Sequence, residues 1–132
     1  MGTGSVGSAF AAIARRRAFF EHCALADYDA ARAEAVVVAA DDGRFSAHRV
    51  DASSTEDIAR LIRETKADAV LNAVDPVFNM AIFDACWESR VTYLDMAMSL
   101  SQPHPERPFG ETGVKSSTRR CCSSRAGSSA SA

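Results

Sequence analysis

A chain of 132 residues with 47% hydrophobic content is large enough for one domain with its own core. Its 15 Lys/Arg and 17 Asp/Glu leave a net charge of −2, which gives no electrostatic case for nucleic acid. No apolar run reaches the roughly 18 residues of a membrane span.

The chain opens on Met1-Gly2-Thr3-Gly4-Ser5-Val6-Gly7, a G-x-G-x-x-G pattern with a helical pattern directly behind it. In a phosphate-binding turn Gly2 allows the tight bend, Gly4 lets the backbone approach a pyrophosphate, and Gly7 lets the helix pack closely on the sheet. The free N–H groups of the first helical turn, which holds Ser5 and Val6, face the phosphates together with the positive end of the helix dipole. Gly2, Gly4, Ser5, Val6 and Gly7 are therefore the expected pyrophosphate-binding residues. Such a turn follows a buried strand, and here only Met1 precedes Gly2. The sheet is expected to lack its first strand. The period Val6, Phe10, Ile13, Arg17 predicts a helix over 5–17 with that face inward and Ala9 and Ala14 beside it. Arg15, Arg16 and Arg17 then fall in its last turns, where they complement the dipole.

Residues 23–26 are a short apolar run, predicted as a buried parallel strand. Asp27 at its end lies 20 residues beyond Gly7, where a carboxylate that accepts the adenine-ribose hydroxyls belongs. A carboxylate there repels a 2′-phosphate, which favours NAD. Arg32 keeps NADP open. Asp29 caps a predicted helix over 30–40. The β-branched Val36, Val37 and Val38 weaken helix propensity there, but the position needs a crossover. Asp41-Asp42-Gly43 is a turn.

Residues 45–50 are the next predicted strand, ending in Asp51. Ser54 and Asp57 have the spacing of a capping box for a helix whose buried face is Ile58, Leu61, Ile62 and Thr65. Asp51, at a strand's carboxyl end, either lies by the adenine or simply starts that helix. Residues 69–74, AVLNAV, are the most strand-like stretch, interrupted by Asn72. Asp75-Pro76 opens a further helix, with Ile82, Phe83, Cys86 and Trp87 on its apolar side. The turn Asn72, Ala73, Val74, Asp75 is expected on the nicotinamide side of a bound cofactor. Asn72 reads equally as a core amide. Residues 91–96 form the fifth strand. Tyr93 and Asp95 at its end either face substrate or anchor the following loop, which Pro103, Pro105 and Pro108 keep extended over 99–109.

The character then changes. Residues 1–114 carry a net charge of −6 and residues 115–132 one of +4. Residues 116–132 hold no Val, Ile, Leu or aromatic side chain and are predicted as a disordered low-complexity tail. The tail reads as a chance terminus, such as a shifted frame, or as a linker. The four Cys fit no zinc spacing. Cys23 and Cys86 read as buried thiols, and no metal site is expected. With no secretory signal visible, the expected location is cytoplasmic. His22, His48 and His104 are scattered, and no residue reads as a catalytic acid or base. The alternation of elements is that of an α/β, Rossmann-like doubly wound parallel sheet without its first strand, spanning 1–114.

The stretches GTGSVGSAFA, ALADYD, RVDASSTEDIARLI, ADAVLNAVDPVFN and VTYLDMAMS together resemble the nucleotide-binding domain of the saccharopine dehydrogenase family. The N-A-V-D-P turn and the Y-L-D-M strand end carry most of the likeness. It implies a Rossmann domain for NAD or NADP, followed by a larger domain that holds an amino-acid substrate. It also implies hydride transfer at a C–N bond of a secondary amine such as saccharopine or carboxynorspermidine. By the same resemblance Gly2, Gly4 and Gly7 match the pyrophosphate loop and Asp27 the ribose reader. Asp51 then sits by the adenine, and Asn72 to Pro76 by the nicotinamide ribose. Without a substrate domain, the chain is expected to bind and orient a dinucleotide. A non-catalytic nucleotide-binding module and an inactive fragment are the alternatives.

Overall fold

The computed structural model describes residues 1–96. The proline-rich loop, the 114/115 boundary and the tail lie outside the described residues. Two parallel strand pairs make the sheet. β1 (Cys23–Asp27) pairs with β2 (Phe45–Arg49), Cys23 opposite Phe45 and Asp27 opposite Arg49. β3 (Ala69–Asn72) pairs with β4 (Thr92–Asp95), Ala69 opposite Thr92 and Asn72 opposite Asp95. Helices α2 (Ala30–Ala40) and α4 (Asn79–Ser89) make the crossovers within each pair, and α3 (Thr55–Thr65) leads from β2 to β3. α1 (Ser5–Ala14) precedes β1.

Met1 and Gly2 lie between the two pairs. The Gly2 N–H donates to the Ala26 carbonyl at 2.7 Å. The Met1 amine donates to the Leu71 carbonyl at 2.7 Å, and the Ala73 N–H donates to the Met1 carbonyl at 2.9 Å. These are the bonds made by the last residues of a central parallel strand. The order across the sheet is therefore β2, β1, Met1–Gly2, β3, β4. Among the described residues no further backbone stands between β1 and β3.

Strand alternation places helices on both faces. Leu25 and Phe45 point into a cluster with Ala11, Ala14 and Ala40 of α1 and α2. Ala26, next along β1, points the other way, to Ile58, Leu61 and Ile62 of α3 and Ile82, Ala85 and Cys86 of α4. This is doubly wound packing.

Helix α1 corrects one expectation. Its buried face is Gly7, Ala11 and Ala14, while Ile13 is 60% exposed and Val6 is exposed too. The helix approaches the sheet through its smallest side chains, with Phe10 partly buried against the same cluster and Val6 and Ile13 left outside. It also stops at Ala14, before the arginine triplet. The Arg44 guanidinium, paired with Asp42 at 2.7 Å, donates to the carbonyls of Arg15 (2.9 Å) and Arg17 (2.7 Å). It thereby satisfies the chain just past the helix end, where carbonyls lack partners.

The caps explain the remaining boundaries. Asp29 Oδ1 accepts from the Ala31 and Arg32 N–H groups, and α2 runs through all three valines. Ser54 Oγ accepts the Asp57 N–H at α3, but Asp57 does not return the bond to Ser54. Its Oδ2 accepts from the Asp51 N–H at 2.8 Å, and its Oδ1 pairs with Arg60. Thr65 is half-buried, with its hydroxyl donating to the Leu61 carbonyl. Strand β3 ends at Asn72, two residues short of the expected end. Asp75 then caps a 3-10 turn, Pro76–Phe78, ahead of α4. Trp87 on α4 is exposed and stacks on Phe83.

Candidate functional site

Parallel strands bring their carboxyl ends, the glycine turn and the start of α1 to one edge of the sheet, where α/β folds bind ligands. Gly2 has φ +86, and a side chain there would come within 2.8 Å of the Ala73 carbonyl and of Val74 Cγ1. A Cβ on Gly7 would lie 1.9 Å from the Gly2 carbonyl oxygen. The turn is thus closed on itself and against residues 73–74. Gly4 differs. Its φ is −67, and a Cβ there would meet nothing within 4 Å. Neither backbone conformation nor packing inside the chain asks for glycine at this position. The open cradle fits a phosphate from outside, because Gly4 is the N-cap of α1. It offers no side-chain cap, and no acidic residue stands in the first turn. The N–H groups of that turn, Ser5, Val6 and Gly7 among them, have no acceptor within the helix.

Asp27, 5% exposed, lies behind the turn. Its Oδ2 accepts from the Thr3 N–H and the Thr3 hydroxyl, both at 2.7 Å. Its Oδ1 accepts from the Asp29 N–H at 3.1 Å and stands 3.9 Å from the Arg32 guanidinium. Burial alone would push the carboxyl up. The two Thr3 donors, the Asp29 N–H and Arg32 outweigh it and hold Asp27 below the usual carboxylate range. Arg32 lies over the Tyr28 ring, 5.3 Å from its centroid, and donates to the Tyr28 hydroxyl at 3.4 Å. Both side chains are exposed beside the end of β1.

The other expected residues divide. Ala73 and Val74 abut Gly2. Asn72, 1% exposed, points into the protein. Its Nδ2 donates to Asn79 Oδ1 (2.7 Å) and the Tyr93 hydroxyl (3.1 Å), and its Oδ1 accepts from the Val74 N–H (3.0 Å). It shapes the loop from within, and any contact to a ligand falls to the backbone beside it. Asp75 is exposed and accepts from the Val77 N–H. Asp51 is exposed and folds onto its own turn, Oδ1 accepting from the Ser53 N–H and hydroxyl. Burial pushes Tyr93 up to about 12, with the Asp95 carboxylate adding to it, so the phenol stays protonated. His22 is exposed, and His48 is hydrogen-bonded to Ser46 Oγ at 2.8 Å. Burial raises Cys86 to about 11 and makes it a poor nucleophile. No cluster suited to a metal ion occurs among the described residues. No helix among them is long and apolar enough to cross a membrane. Sequence reasoning passed over Thr3, Tyr28 and Asn79. The spacing of four between Tyr28 and Arg32, across the Asp29 cap of α2, was the only available signal.

The sheet order, the turn and the open N-terminus of α1 define a dinucleotide-binding domain of the Rossmann type. Residues 1–122 match the saccharopine dehydrogenase NADP binding domain, and the chain belongs to that family. It is 40% identical over 57 residues to the carboxynorspermidine synthase of Vibrio cholerae, which covers 43% of this chain and 14% of that protein. It is 28% identical over 97 residues to the carboxyaminopropylagmatine dehydrogenase of a Synechocystis species, 74% of this chain and 24% of that one. The chain therefore spans less than a quarter of the length of these relatives. The family's description supports a nicotinamide dinucleotide and names NADP. It does not carry the preference for NAD expected from Asp27.

Proposed function

We propose that this chain binds NADP along the glycine turn and forms the cofactor-holding part of an oxidoreductase acting on a C–N bond of a secondary amine or amino acid. The open cradle at Gly4, over the unpartnered N–H groups of α1, carries the reading. Gly2, Gly4, Ser5, Val6 and Gly7 hold the pyrophosphate. Asp27 and Arg32 stand at the adenosine ribose, Asp51 by the adenine, and Asn72, Ala73, Val74 and Asp75 on the nicotinamide side. Arg32 and Tyr28 favour NADP, because an exposed guanidinium on an aromatic face is suited to a 2′-phosphate. The names of the relatives, a synthase and a dehydrogenase of carboxylated polyamines, support the amine chemistry. Bound NADP supplies or accepts the hydride, and the protein's share is binding and orientation.

A purely nucleotide-binding module is the second reading. It is favoured by the lack, among the described residues, of a histidine or free thiol at the site. Turnover of a carboxylated polyamine by the isolated chain would exclude it.

The test is titration with NADP and NAD, read by fluorescence and thermal shift. Gly4→Ser is expected to keep or raise the melting temperature, since serine caps helices well. Its hydroxyl takes the N–H groups a phosphate needs, so both cofactors weaken about tenfold or more. Arg32→Gln is expected to weaken NADP about tenfold and to leave NAD unchanged. Undiminished binding in Gly4→Ser would place the ligand elsewhere.

A further inference from the structure

A carboxylate at the end of this strand discriminates against NADP only if its oxygens are open to the ribose. Those of Asp27 are largely taken. A carboxylate offers about four acceptor positions. The Thr3 N–H and hydroxyl fill both on Oδ2, each at 2.7 Å, and the Asp29 N–H fills one on Oδ1. One position on Oδ1 is left, and the Arg32 guanidinium stands 3.9 Å from that oxygen. A ribose diol presents two hydroxyls and finds at most one free acceptor here. The charge that would repel a 2′-phosphate is buried and engaged by three hydrogen-bond donors, while the exposed Arg32 guanidinium stands 3.9 Å from it.

We propose that Thr3 is a cofactor-specificity residue: its N–H and hydroxyl together occupy Asp27 Oδ2, withdraw that carboxylate from ribose recognition, and leave the 2′ position to Arg32. The inference rests on the dinucleotide reading above and goes one step further. Thr3 lies at the first variable position of the glycine motif, and its side chain points away from the phosphate cradle into a buried contact. The threonine hydroxyl thus decides what a carboxylate 24 residues later can do.

Thr3→Val keeps the size and the N–H but removes the hydroxyl, so one acceptor on Oδ2 is freed. NADP and NAD affinities are measured on the full chain for the wild type, Thr3→Val, Thr3→Ser and Asp27→Asn, with folding of each followed by circular dichroism. In Thr3→Val the NADP-to-NAD affinity ratio is expected to fall about tenfold, mostly through a gain in NAD. In Thr3→Ser, which retains the hydroxyl, the ratio holds. Asp27→Asn decides the matter independently should Thr3→Val fail to fold. A withdrawn carboxylate leaves its ratio within about threefold of wild type, whereas a tenfold rise toward NADP would reveal an open, repelling Asp27 and overturn the proposal. A wild type that binds both cofactors with a Thr3→Val ratio unmoved overturns this inference alone. A wild type that binds neither overturns the dinucleotide reading together with it.

Discussion

Asp27 shows how one side chain can be located from sequence while its work is hidden. Its distance from the glycine motif is visible in the one-letter code, but the direction of its oxygens depends on Thr3, which no motif singles out. The same engagement has a stability consequence. The carboxyl's folded-state pKa lies below the unfolded value of about 3.9. Protons therefore bind the unfolded chain more readily. Asp27 stabilises the fold fully above about pH 5, and the contribution fades as pH falls through the folded value. Asp27→Asn is expected to lose less melting temperature between pH 7 and pH 3 than the wild type does. Equal acid sensitivity would show that the Thr3 contacts do not favour the charged form. Asn72 teaches the complementary lesson. Its two readings, core amide and crevice residue, were equal on sequence, and only its bonds to Asn79 and Tyr93 show that its side chain faces inward.

Elements were legible where a cap marks them. Asp29, Ser54 and Asp75 each accept the expected backbone N–H, and the helix over 30–40 forms despite its valines. The inward face of α1 was not legible, because periodicity counts apolar bulk. Here close approach to the sheet selects Gly7, Ala11 and Ala14 instead. The C-terminal ends carry another feature that composition hides: Asp41, Lys66 and Arg90 close their helices at positive φ, 49, 52 and 57. Glycine adopts that conformation without steric cost. Lys66→Gly and Arg90→Gly are therefore expected to raise stability by about 0.5–1 kcal/mol each, measured by urea unfolding. Ser54→Ala is expected to lower it by about 1 kcal/mol. A loss in both glycine variants would mean that the lysine and arginine side chains contribute more than the strain removes.

For the molecule as a whole, the fold class was legible from the alternation of apolar runs and helical periods, including the place left for a central strand. The way the two strand pairs meet was not. That depends on Met1 and Gly2 bonding to Ala26, Leu71 and Ala73, contacts between residues about 25 and 70 positions apart. On the face of α3 and α4 the core is continuous across this junction, running from Ala26 and Val50 to Ile82 and Cys86. Apolar burial therefore joins the two halves where backbone pairing is thin.

The Ala73 amide gives that junction a reporter. Its hydrogen is shielded from deuterated solvent by the Met1 carbonyl, and the next residue along, Gly2, begins the bend proposed to hold the pyrophosphate. A cofactor clamped by the bend should slow isotope uptake at Ala73 and at Gly2 together, leaving the outer rung at Thr92 unaffected. The seam between the halves and the grip on the dinucleotide would then tighten as one unit.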